Sequence, residues 1–310
     1  MFSEIRRFSS PSGALLAYRS ALPLGPPRAT LLVCHGLIEH SARYERFAEA
    51  MAGRGCQVFA HDHRGHGETQ SDEAPLGRFA REDGVDKVIA DVKAMRDMVE
   101  QENPGLPVIL FGHSMGGLIA LNAAVTHPQA FQALAIWNSN FNPGLAGHAA
   151  RLLLAVERML KGSDVPSRIM PKATFDAWGK SIADRRTEFD WLSRDPEQVD
   201  KYARDPLCRF DASVSMWIDV LDLTFRAPTS AMLARLPKHL PIHLVGGGQD
   251  PATCGGREIR WLSDRLKRHG LRNVTTRIYE EMRHETLNEI GWEQAVDDFS
   301  AWCEKSLFAA

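Results

Sequence analysis

LPVILFGHSMGGLIALNAAVTH, residues 106–127, joins a short apolar run to a longer one through Gly-His-Ser-Met-Gly. LPVILFG (106–112) has the length and composition of a buried strand. MGGLIALNAAVTH (115–127) reads as a helix that stops before Pro128. Glycines on both sides of Ser114 allow a tight turn and close backbone approach. A G-x-S-x-G sequence between strand and helix holds a serine out on a sharp turn. The helix N-terminus then directs its free N–H groups at the same spot.

Outward from this stretch the pattern repeats. The first twenty residues alternate around Ser-Pro-Ser-Gly and predict a β-hairpin. Strand-like runs occur at 28–36, 56–62, 106–112 and 131–139, with helical spacing at 43–53, 85–101 and 115–127. Strands alternating with helices imply a mostly parallel sheet with helices on both faces, an α/β fold. The rhythm breaks between Phe141 and Leu236, a helical and polar stretch with Trp178, Trp191 and Trp217. It resumes with LPIHLVGGGQD (240–250), a helix at 256–268, NVTTRIYE (273–280) and a helix at 292–306. The division expected is a core of 1–140 and 237–310 with a helical cap inserted at 141–236. GLAGHAARLLLAVERMLKG (144–162) sets Leu145, Ala149, Leu152, Leu153, Val156, Met159 and Leu160 on one face. It reads as a cap helix packed on the core, with peripheral membrane contact as the second reading.

A chain of 310 residues suits one large α/β domain or one domain carrying an insertion. A formal net charge of -2, without a polybasic run, excludes a nucleic-acid partner held by charge. Cys34, Cys56, Cys208, Cys254 and Cys303 are odd in number and form no C-x-x-C pair, which predicts reduced thiols and a cytoplasmic location. Cys34 and Cys254 flank the expected site and read as buried, inert thiols. The N-terminus has no apolar signal-peptide core, and no run approaches the length of a spanning helix.

A serine hydroxyl is a poor nucleophile near neutral pH, so it needs a base, and the base needs an orienting carboxylate. On a strand–turn–helix serine the partners follow in the order Asp or Glu, then His. Asp250 follows PIHLVGGGQ and His284 follows VTTRIYE, both at the sheet edge expected to carry Ser114. Backbone donors for an oxyanion are expected from Met115 and from Leu37, just past the first buried strand.

HGLIEHSARY (35–44), HDHRGHGE (61–68), GHSMGG (112–117), GGGQD (246–250) and RHETLNE (283–289) together resemble the α/β-hydrolase superfamily. Within it they are similar to the monoacylglycerol lipase and lysophospholipase branch, which overlaps with serine aminopeptidase-like hydrolases. DWLSRDPEQVDKYARDPLC (190–208) resembles the end of that branch's cap; the likeness is weakest at 141–185. The resemblance implies Ser114 as nucleophile, Asp250 as orienter and His284 as base, with Leu37 and Met115 as oxyanion donors. It also implies that Glu39 and Arg43 lie at the alcohol or head-group end of the site. Glu68-Thr69 departs from the branch, which usually has Ser two residues past Gly67's histidine, and Ala252 stands where Val is usual. The histidines of HDHRGHGE lack the order of a binuclear metal site and fit a turn leaving a strand. No metal and no cofactor is expected.

The expected function is a serine carboxylic-ester hydrolase acting on a small-molecule acyl ester of the monoacylglycerol or lysophospholipid type. An aminopeptidase or amidase with the same three residues is the alternative, since Asp and Glu are frequent at 184–211. A hydrolase-fold binding protein is the reading from outside the enzymes.

Overall fold

The computed structural model describes residues 2–308. Its strands are β1 (Arg6–Ser9), β2 (Leu15–Ala21), β3 (Ala29–Cys34), β4 (Cys56–His61), β5 (Val108–His113), β6 (Ala133–Trp137), β7 (Ile242–Gly247) and β8 (Val274–Tyr279). They form one sheet in the order β1-β2-β4-β3-β5-β6-β7-β8. The β1–β2 hairpin and the β2–β4 pair are antiparallel, and every pair from β4 to β8 is parallel. The middle strands β3, β5, β6 and β7 are buried along their whole length. That is why they read as unbroken apolar runs rather than as alternations. β8, at the edge, alternates in exposure instead.

Helices α1 (Glu45–Ala52), α2 (Gly84–Glu102) and α3 (Met115–Thr126) connect the first parallel strands. Between β6 and β7 lie α4 (Gly144–Lys161), α5 (Met170–Ala173), α6 (Phe175–Ser181), α7 (Pro196–Arg204), α8 (Val214–Arg226) and α9 (Ser230–Leu233). Helices α10 (Arg257–Arg268) and α11 (Trp292–Cys303) complete the chain. One core layer packs α2, α3 and α10 on the sheet, with α8 laid over α2 and α3; the other packs α1 and α11 on the opposite face. α3 is buried from Met115 through Val125, which explains why this helix is apolar on all sides.

The apolar stripe of α4 corrects the packing expectation. Leu145 is 89% exposed, Met159 77% and Leu160 72%, and Leu152, Leu153 and Val156 also face outward. Only Gly147, Leu154 and Glu157 of this helix are buried. Gly147 leans on Pro143 and Phe225, so the helix docks through its narrow side and leaves its leucine-rich side uncovered.

Candidate active site

Ser114 stands between β5 and α3 with φ 55 and ψ -121. A non-glycine residue with positive φ is strained, and such strain concentrates where a side chain must be aimed. Two flanking glycines make the turn geometrically feasible. A side chain on Gly112 would overlap the Gly116 carbonyl, and one on Gly116 would overlap the Cys34 carbonyl. The turn is pinned from β6, whose Trp137 carbonyl accepts the Ser114 N–H at 2.9 Å.

Parallel strand ends bring the other residues to the same edge. Trp137 is level with His113 on one side and Val245 on the other, and Gly247 with Tyr279. The turns after β7 and β8 therefore deliver Asp250 and His284 beside Ser114. His284 Nε2 lies 2.9 Å from Ser114 Oγ, and His284 Nδ1 lies 3.0 Å from both Asp250 oxygens. An ionised carboxylate only accepts, so Nδ1 carries the proton and Nε2 is free to accept the serine's. Asp250 is fully buried and also receives the Ala252 N–H and the Thr253 hydroxyl.

Burial pushes the Asp250 carboxyl up, but the His284 charge and the Thr253 and Asn138 hydrogen bonds outweigh it, leaving it below the ordinary range. Burial disfavours the His284 cation, yet Asp250, then Glu285 and Glu39, raise it above its ordinary value. A base that holds its proton more tightly is suited to take one from a serine. Trp191, with its ring 4.9 Å from that of His284, and Trp178, at 6.4 Å, shield the imidazole from the helical insertion's side.

Ser114, Met115, Leu37 and His284 line one cavity of about 150 Å³, walled by Phe175, Trp217 and Leu221. Leu37 and Met115 thus share one cavity with Ser114. Glu39 and Arg43 do not line this cavity; Glu39 lies across Gly36 from Ser114. Glu39 accepts the Gly36 N–H, the Tyr44 hydroxyl at 2.8 Å and Arg43 Nη1 at 2.8 Å. Arg43 also binds Glu285 through two nitrogens, at 2.6 and 2.7 Å. Burial raises the Glu39 carboxyl, and Glu285 adds to this against the pull of Arg43.

The HDHRGHG turn has structural partners. Arg64 Nε donates to Asp91 Oδ2 at 2.7 Å, with both side chains fully buried. Thr69 holds the turn: its hydroxyl donates to the Asp62 carbonyl and accepts the Ala17 N–H. His40, Asp205 and Cys208 bring metal-ligand atoms within 4.8 Å of one another. His40 Nε2 already donates to Asp205 Oδ2 at 2.8 Å, and Arg43, Arg46, Lys201 and Arg204 line the adjoining cavity, a setting that opposes a cation. Of the two cysteines near the site, Cys34 is buried, but Cys254 is exposed, contrary to the expectation for it.

A family model described as serine aminopeptidase, S33, matches residues 25–291. The chain belongs to that family. Human monoglyceride lipase is 29% identical over 291 residues, covering 93% of this chain and 86% of that protein. The monoacylglycerol lipase of Mycolicibacterium smegmatis is 26% identical over 307 residues, covering 97% and 96%. A solved carboxyl esterase from Bacillus coagulans, described as highly thermostable and in complex with glycerol, superposes with a TM-score of 0.87 at 25% identity, covering 98% of each chain. This member of the S33 family therefore shares both its α/β-hydrolase architecture and its length with lipases and esterases.

Asn138, Thr253 and Glu285 belong to the neighbourhood and were not singled out from sequence. Glu285 adjoins His284 in the chain, but its partner Arg43 is 242 residues away. Asn138 directly follows β6 in the run FQALAIWNS, and the strand-end logic that located Asp250 applies equally to it.

Proposed function

We propose that the chain is a serine carboxylic-ester hydrolase for single-acyl esters of the monoacylglycerol or lysophospholipid type. Ser114 is the nucleophile, His284 the base and Asp250 its orienter. Ser114 Oγ attacks the acyl carbonyl as its proton passes to His284 Nε2. Asp250 stabilises the resulting imidazolium, and the Leu37 and Met115 N–H groups receive the oxyanion. The alcohol leaves with the proton from Nε2, giving an acyl-enzyme on Ser114. Water, deprotonated by His284, then releases the carboxylic acid.

One observation carries this reading: the Ser114–His284–Asp250 hydrogen-bonded chain opens on an apolar cavity that no Asp or Glu lines among the described residues. An aminopeptidase needs an acidic group there for the free α-amine. None of the eight acids of 184–211 lines that cavity, and four of them are engaged elsewhere: Asp190 with Thr187, Asp195 as a helix cap, Asp200 with Arg186 and Asp205 with His40. The monoglyceride lipases among its relatives favour a glycerol head group, and the lack of a basic cluster in the cavity supports it over a phosphate-bearing one. Glu39 and Arg43 form the polar backing at the alcohol end, where Gly36 lies between Glu39 and Ser114.

The 141–236 insertion acts as the cap. Among the described residues no helix is long and apolar enough to cross a membrane. The uncovered leucine side of α4, bordered by Arg151, Arg158 and Lys161, supports peripheral docking on a lipid surface instead. Five free cysteines support a reducing, cytoplasmic setting.

Fluorophosphonate labelling of wild type and Ser114→Ala, followed by turnover of a p-nitrophenyl ester series, tests the assignment. Labelling confined to wild type, with ester turnover, is the expected result. Equal labelling of both proteins, or a folded wild type without turnover, overturns it.

A further inference from the structure

Four neighbouring strands, β5, β6, β7 and β8, end at the edge that carries the site. Three of them are followed by a member of the proposed triad: Ser114, Asp250 and His284. The chain leaving β6 supplies Asn138. This residue is 1% exposed and has a left-handed backbone, φ 52, a conformation that asparagine tolerates better than most residues. Its side chain has three partners. Nδ2 donates to Asp250 Oδ2 at 3.2 Å and, more weakly, to the Arg283 carbonyl at 3.4 Å. Oδ1 accepts the Thr286 hydroxyl at 3.1 Å. A carboxylate and a carbonyl only accept, so chemistry requires the NH2 to face them. One buried amide therefore joins the carboxylate that orients the imidazole to the chain on both sides of His284.

We propose that Asn138 is a positioning residue that keeps Asp250 in register with the His284 loop, so that Nδ1 stays on Asp250 while Nε2 faces Ser114. The inference rests on the ester-hydrolase reading above and extends it to the strand between those of Ser114 and Asp250. Asp250 keeps its Ala252 and Thr253 donors without Asn138, so the carboxylate stays solvated by the protein. What is lost is the side chain that ties it to Thr286 and Arg283 together.

Asn138→Gly tests this, because it removes the amide and leaves a backbone free to take positive φ. Thr286→Val removes one of the three contacts and keeps Asn138. Active sites are counted with a fluorophosphonate, so that rates refer to assembled enzyme. Asn138→Gly is expected to lower kcat per active site roughly ten- to a hundredfold, the scale of a misaligned catalytic group, with KM near wild type. The acid limb of its kcat/KM profile is expected to move to lower pH, because a misaligned Asp250 supports the His284 cation less. Thr286→Val is expected to shift both quantities in the same direction by a smaller factor, and it decides the matter if the glycine variant does not fold. Wild-type kcat per active site with an unmoved acid limb overturns the proposal. So does a loss of activity fully accounted for by fewer titratable sites, the mark of a merely structural role. A wild type that neither labels nor turns over ester overturns the hydrolase reading as well.

Discussion

Arg43 grips Glu285, the residue next to His284, through both guanidinium nitrogens at 2.6 and 2.7 Å, and its Nη1 also reaches Glu39 at 2.8 Å. Glu39 in turn holds the Gly36 N–H, at the start of the loop that carries Leu37. Ile38 in that loop has φ 58, a strained value for a β-branched side chain. The ion cluster thus ties the strained Leu37 loop to the His284 loop.

Removing the cation leaves two carboxylates buried side by side. Arg43→Met is expected to lower unfolding free energy by about 3–5 kcal/mol, the cost of orphaning a buried ion-pair partner. Glu285→Gln keeps a hydrogen-bond acceptor for Arg43 and is expected to cost less. Urea denaturation of the two variants checks the order; a loss below about 1 kcal/mol for Arg43→Met contradicts it.

The pH dependence of turnover follows from His284, whose cation is favoured by Asp250 against burial. A base with a raised value stays protonated, and so inactive, to higher pH. The kcat/KM profile is therefore expected to rise with pH through a midpoint above 6.5, the ordinary histidine value. Asp250→Asn removes the charge that raises it and is expected to lower kcat by about 10⁴. A rising limb centred below 6.5 in wild type is the contrary result.

Stability depends on histidines that are shifted in the opposite direction to His284. Burial lowers His61 and His66 to about 4, and His113 and His243 to about 3, each from 6.5. The unfolded chain takes up these protons below pH 6.5, while the folded one resists until its own lower values. Each such histidine therefore costs about 1.4 kcal/mol of stability per pH unit within that window. His284, raised instead, opposes this alone among the five. Denaturant midpoints are expected to drop clearly between pH 7.5 and 5.5. An unchanged midpoint means that the buried rings are already charged, or hydrated, in the fold.

The outer side of α4 separates surface docking from chemistry. Leu152→Asp with Leu160→Asp replaces two exposed leucines that do not line the Ser114 cavity. Each leucine that enters lipid is worth about 1.5–3 kcal/mol. The double variant is expected to lose at least tenfold in vesicle binding by flotation while keeping wild-type turnover of a dissolved p-nitrophenyl ester. Undiminished flotation contradicts docking through α4.

The strand–turn–helix at Ser114 was legible because its signals are local: apolar run, glycines and apolar helix lie within 22 residues of one another in the chain. The order of Ser114, Asp250 and His284 was legible for a related reason. In a parallel sheet every strand of one direction ends at the same edge, so a residue just past a strand has a known address. Periodicity also marked the apolar stripe of α4 correctly, but a stripe carries no information about what it meets, and only packing turned it outward. Asn138 with Thr286 and Arg43 with Glu285 join residues 148 and 242 apart. Such pairs depend on distances of a few tenths of an ångström between distant loops. Composition and spacing along one chain therefore determined the layout of the fold and the edge where its chemistry sits. The tertiary structure decided which buried polar groups meet there and which apolar surface remains uncovered.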